Sequence, residues 1–178
     1  ANAGGPVDLT NSGSITVGHD HSSTVALGSV RFIDAAPGSS GVRAANSGTI
    51  AASGAGGVGL LVSSSRIGSY PSDQTPPAAG DLAVINTGTI AANVAGGQFS
   101  GRSGFAAYSP SAAVVMSGDG TAMSLTNASG ATLSATATGS ASVVAIGEGS
   151  FTLTNAGTIA GSAGVTTTSL SGILLGQA

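Results

Sequence analysis

The side chains best able to do chemistry in this chain are few. His19-Asp20-His21 holds both histidines. On an extended strand the two rings would share a face, which is how a pair of imidazoles begins a metal site. A closed site takes about four ligands. The chain has zero cysteines and no third histidine, so the tripeptide reads as an exposed turn. The missing cysteines also exclude disulfides, zinc–thiolate sites and thiol catalysis. Glycoside cleavage would need two of the seven acids, Asp8, Asp20, Asp34, Asp73, Asp81, Asp119 and Glu148, to converge on one face. They share no common position in the repeat described below, and an isolated Asp is a common turn residue. Serine is abundant, yet no Gly-x-Ser-x-Gly elbow occurs. The expectation is a protein that is not an enzyme and has no cofactor and no metal.

Composition narrows the partners. There is no lysine, and the four arginines are scattered at Arg31, Arg43, Arg66 and Arg102, so no basic stripe exists for a nucleic-acid backbone. No apolar run is long enough to cross a bilayer as a helix. Ala1-Asn2-Ala3 has neither the basic start nor the apolar stretch of a signal peptide. Disorder goes with low hydrophobicity and high net charge. Here 41% of residues are hydrophobic, the net charge is -3 and the mean hydropathy is +0.39, which argues for a folded chain. Much of the apolar content is Ala and Val, which suits a thin, regular core of small and β-branched side chains.

Five segments repeat. Val7-Asp-Leu-Thr-Asn11-Ser-Gly-Ser-Ile15 matches Val42-Arg-Ala-Ala-Asn46-Ser-Gly-Thr-Ile50, Leu82-Ala-Val-Ile-Asn86-Thr-Gly-Thr-Ile90 and Phe151-Thr-Leu-Thr-Asn155-Ala-Gly-Thr-Ile159. The fifth, Met123 to Leu133, carries two extra residues after Asn127. Relative to each Asn, positions −4 and −2 are apolar, and in the four regular copies +2 is Gly and +4 is Ile. A period of two is that of a strand. The Asn therefore falls on the inward side, at a corner between two strands. Gly at +2 is expected to supply an unusual backbone conformation there. Stacked copies place Asn11, Asn46, Asn86, Asn127 and Asn155 above one another about 4.8 Å apart, each amide donating to one neighbour and accepting from the other. A second apolar stretch follows each motif, for example Val25-Ala-Leu27, Val58-Gly-Leu60 and Val143-Val-Ala-Ile146. Up to three strands per repeat and no helix predict a single all-β domain over residues 1–178, a single-stranded right-handed parallel β-helix (β-solenoid) of about five rungs.

The Asn-[Ser/Thr/Ala]-Gly-[Ser/Thr]-Ile core, followed by an Ala/Gly/Ser stretch and a short apolar strand, resembles the passenger region of bacterial autotransporters and related large repeat adhesins. The resemblance implies a right-handed β-helix at the cell surface or outside a Gram-negative bacterium. It also implies a role in adhesion, self-association or display, with host or neighbouring-cell surface molecules, or the chain itself, as partners. Two departures stand beside it: the sequence shows no translocator barrel and no inserted protease-like domain.

The asparagines stand 35, 40, 41 and 28 residues apart, so the two longest intervals carry extra sequence. Insertions are expected at about 63–80 and 93–111, leaving from comparable points of successive rungs. They hold four of the six aromatics, Tyr70, Phe99, Phe105 and Tyr108, with Arg66 and Arg102, residue types that interfaces favour. These six are the candidate partner-binding residues. Thr136-Ala-Thr138 and Thr166-Thr-Thr168 do not amount to the Thr array of an ice-binding face. Two alternatives stand beside the adhesive reading. One is a self-polymerising subunit of an extracellular filament or matrix, joined end to end or side by side through its unpaired strand edges. The other is a polysaccharide-acting β-helix enzyme.

Overall fold

The computed structural model describes residues 7–18, 23–32, 41–54, 57–67, 80–92, 111–138, 140–161, 164–168 and 172–177. They form fourteen strands: β1 (Val7–Asn11), β2 (Ser14–Val17), β3 (Ser23–Phe32), β4 (Val42–Asn46), β5 (Thr49–Ala52), β6 (Val58–Ile67), β7 (Leu82–Asn86), β8 (Thr89–Ala92), β9 (Ala112–Asn127), β10 (Thr132–Ala135), β11 (Ala141–Asn155), β12 (Thr158–Gly161), β13 (Val165–Thr168) and β14 (Gly172–Gln177). No helix occurs among the described residues, and none there is long and apolar enough to cross a membrane.

Among the described residues every strand pairing is parallel, and each joins one repeat to the next. The strands that precede the asparagines pair as β1-β4-β7-β9-β11 within a nine-stranded sheet, and those that follow pair as β2-β5-β8-β10-β12 in a five-stranded one. The third strands, β3, β6, the first half of β9, the first half of β11, and β13, pair in the same order. This arrangement is consistent with a β-solenoid.

Register follows the sequence motif residue for residue. Val7, Val42, Leu82, Met123 and Phe151 are successive partners, as are Leu9, Ala44, Val84, Leu125 and Leu153. Ile15, Ile50, Ile90, Leu133 and Ile159 form a third column. The interior members are buried and make one continuous core with Leu60, Val62, Val114, Met116 and Val143. Alternate residues face outward because the side-chain period of a strand is two. A one-residue slip would turn the whole apolar set to solvent, so burial enforces the register.

Two irregularities are absorbed locally. The two extra residues after Asn127 form a tight turn in which Ala131 N donates to Ala128 O at 3.0 Å. Gly130 takes the left-handed position with φ of 79°, which an L side chain would resist. Register resumes at Thr132 opposite Thr89. The passage from the third strand of one repeat to the first of the next is continuous in β9 and β11. At that corner Gly147 and Gly149 have φ of 124° and 125°, and the register shifts between Glu148 and Gly149. Such a shift is a bulge that bends the strand.

Candidate functional site

The most elaborate polar structure among the described residues is the asparagine column. Each Asn ends a strand whose apolar neighbours point inward, so its own side chain is carried inside. Asn86 and Asn127 are 0% exposed, and Asn46 and Asn11 are 2% and 7%. Nδ2 of Asn11 donates to Oδ1 of Asn46 at 2.8 Å, Asn46 to Asn86 at 2.9 Å, Asn86 to Asn127 at 2.9 Å and Asn127 to Asn155 at 2.8 Å. Asn127 thus keeps its place as the fourth of the five, despite the longer turn after it. The amide of Asn86 also donates to Gly88 O and Thr132 O, both at 3.1 Å, and its Oδ1 accepts from Gly88 N at 3.3 Å. Burying an amide without partners costs roughly 1–3 kcal/mol, and here its donor and acceptor capacity is used.

The backbone around the column runs its hydrogen bonds in the opposite sense. Ser47 N donates to Asn11 O at 2.8 Å, Thr87 N to Asn46 O at 2.7 Å, Ala128 N to Asn86 O at 2.9 Å and Ala156 N to Asn127 O at 2.8 Å. At these corners the backbone donors, with the hydroxyls of Ser47 and Thr87, point toward the preceding repeat, and the asparagine amides toward the following one. Each corner is tied in both directions.

The glycine at +2 has a different cause from the expected one. Gly13, Gly48, Gly88 and Gly157 are not among the glycines with positive φ. The constraint is contact between repeats. A Cβ on Gly48 would overlap Gly13 O and lie 2.8 Å from Gly13 N. On Gly88 it would overlap Gly48 O and lie 2.7 Å from the carbonyl carbon of Ser47. On Gly157 it would lie 2.8 Å from Asn127 Nδ2. Glycine is there because the backbone of one repeat rests on the next.

The candidate partner-binding residues fare differently. Tyr70, Phe99, Arg102, Phe105 and Tyr108 lie outside the described residues, as does His19-Asp20-His21. Arg66 lies in β6, opposite Arg31 of β3, rather than in an insertion. Pairing with the ten-residue β3 extends β6 to Ile67, so the first insertion begins after it. Ser111 is fully buried and its carbonyl accepts from Ala141 N, so the second insertion ends before it. The insertions also leave from different corners: residues 68–79 join β6 to β7, whereas residues 93–110 join β8 to β9. Asparagine spacing alone measures how much sequence is added to a repeat and not at which corner.

Among the described residues no three His, Asp or Glu side chains converge. Asp8 and Asp81 are exposed. The Asp81 carboxylate accepts from Ala122 N at 3.3 Å and Thr121 Oγ1 at 3.4 Å, which ties one repeat to the next. One outward column escaped the sequence reading. Ser14, Thr49, Thr89, Thr132 and Thr158 are successive register partners on the five-stranded sheet. The signal was present as the residue before each motif Ile, or before Leu133. In comparisons with known proteins, no family model, curated protein or solved structure matches the chain.

Proposed function

We propose that this chain is a right-handed parallel β-solenoid of five coils, and that it serves as a non-enzymatic module of a Gram-negative surface or secreted protein. Its role is adhesion, self-association or display. The observation that carries the reading is the column from Asn11 to Asn155. The buried asparagine side chains are spent on joining coil to coil. Such a stack is stiff along one axis and tolerates long insertions at its corners, because each coil contacts only its neighbours. Extending a chain from a surface and presenting loops is what that construction does well. The resemblance of the motif to autotransporter passengers points the same way.

The insertions are the parts of the chain we assign to partner contact. The register shows how to remove the first one cleanly. Ser63 pairs with Ser117 and Leu82 with Met123. The chain takes nineteen steps from Ser63 to Leu82 where β9 takes six, and removing residues 68–79 leaves seven. The test couples the purified chain, with and without residues 68–79, to inert beads and measures clumping and capture by bacterial and epithelial cells. Clumping or capture by the intact chain, lost on deletion while circular dichroism is unchanged, is the expected result. Beads that neither clump nor bind, or that behave alike with and without the insertion, would overturn the reading.

A further inference from the structure

We infer that Arg31 and Arg66 form one anion-binding site, and that its ligand is the carboxylate or sulfate group of an acidic cell-surface glycan. The inference rests on the partner-contact reading above and gives it a ligand class. The parallel register makes Arg31 of β3 and Arg66 of β6 direct partners. Neighbouring strands lie about 4.8 Å apart, and partners in a parallel pair stand on the same face of the sheet. The chain has four arginines and no lysine, so half of its arginines share one register position. Like charges side by side on neighbouring strands repel and weaken the pairing. An anion bound to both turns that repulsion into attraction.

No acid among the described residues is a register partner of either arginine. Asp8 is the partner of Arg43, and Asp119 is the partner of Glu148. The Asp81 carboxylate accepts from Ala122 N and Thr121 Oγ1. β9 follows β6 only as far as Gly118, opposite Ser64. Beyond that point β3 and β6 run on as a two-stranded ribbon to Phe32 and Ile67, and the arginines stand on it. A guanidinium is a rigid fork of N–H donors that takes a carboxylate or sulfate through two parallel bonds.

The ribbon stands at a corner that is enlarged in two adjacent repeats. Gly28, Ser63, Ser117 and Ile146 share one register position, and Val42, Leu82, Met123 and Phe151 share another. Between the two positions the chain takes fourteen steps from Gly28 and nineteen from Ser63, against six from Ser117 and five from Ile146. Residues 33–40 and 68–79 therefore leave the stack at partnered residues, Phe32 and Ile67, one place after the arginines. Added sequence and paired positive charge coincide at this corner. A site of two cations takes one anionic group at a time. A glycan that repeats its charged group is held by many copies of the site at once on a crowded surface, which multiplies weak single contacts.

The test immobilises the full chain and measures binding of dextran sulfate, alginate and neutral dextran. Expected is salt-sensitive binding of at least one of the two acidic polymers and none of neutral dextran. Arg31→Gln and Arg66→Gln should each weaken binding by about tenfold or more, the scale of a lost charged hydrogen bond. Arg43→Gln should leave binding unchanged. Sodium sulfate should raise the thermal midpoint of the unaltered chain more than that of Arg66→Gln, because an anion that binds the folded site stabilises it. Failure of both acidic polymers to bind, equal loss in Arg43→Gln, undiminished binding by Arg66→Gln, or equally tight binding of polyglutamate would each overturn the inference. Asp34 and Asp73 lie outside the described residues; acidic polymer bound only after Asp34→Asn or Asp73→Asn would reveal an internal counter-ion and overturn it too. Cell capture that survives Arg66→Gln but is lost on removing residues 68–79 would leave the adhesive reading standing and remove only this one.

Discussion

Replacing Asn86 with leucine removes the middle of the asparagine column. Five hydrogen bonds go with it, three donated by Nδ2 and two accepted by Oδ1. Some partners keep other bonds. Asn46 Nδ2 still reaches Gly48 O and Thr89 O, Gly88 N still donates to Asn46 O, and Gly88 O still accepts from Thr132 N. Asn127 Oδ1 loses the donor that satisfies it, inside a site that is 0% exposed. An orphaned buried acceptor costs roughly 1–3 kcal/mol. The apolar burial of leucine offsets part of the remaining bonds, which are each worth about 0.5–1.5 kcal/mol net. The expected loss is therefore roughly 1–3 kcal/mol, and for a chain of this size 2 kcal/mol lowers the thermal midpoint by about 4–8 °C. Asn86→Asp keeps the shape but sets an oxygen against Asn127 Oδ1, Gly88 O and Thr132 O, so it should cost at least as much. Urea denaturation followed by circular dichroism measures both. An unchanged midpoint and slope in the two variants would refute the reasoning.

Gly88→Ala should destabilise by about 1–3 kcal/mol, the range for overpacking, because its Cβ falls against the backbone of the preceding coil; thermal melting checks this. Gly130→Ala has open space but a φ of 79°, so strain alone should cost about 1 kcal/mol or more by the same measurement. Deleting Ser129 and Ala131 leaves Asn127-Ala128-Gly130-Thr132-Leu133, the regular spacing, and should keep the fold with stability within about 1 kcal/mol, read by urea denaturation.

The strands and their register were legible because burial on one face gives a period of two, and the Asn-x-Gly-x-Ile motif fixes the phase. The asparagine column was legible for the same reason: a polar residue that recurs inside an apolar face must be satisfied by its own copies. The role of the +2 glycine was not. A glycine required for close backbone approach and one required for positive φ look alike in sequence, and among the described residues only Gly130, Gly147, Gly149 and Gly164 are of the second kind. The placement of Arg66 was missed because β6 continues past its apolar stretch by pairing with β3, and the polar run Ser63-Ser64-Ser65 reads as a loop. The outward Ser/Thr column stands in the motif one residue before each Ile, or before Leu133, but an outward polar position carries no burial signal that sets it apart from its neighbours.

Hydrogen exchange of the asparagine side-chain amides, resolved by nuclear magnetic resonance, tests the coil-on-coil stack most directly. The Nδ2 protons of Asn46, Asn86 and Asn127 are each shared with the next Asn in a buried column, so they should exchange only when coils separate, with opening energies near that of global unfolding. Exchange of these three amides at the rate of an asparagine in an unstructured peptide would contradict the account.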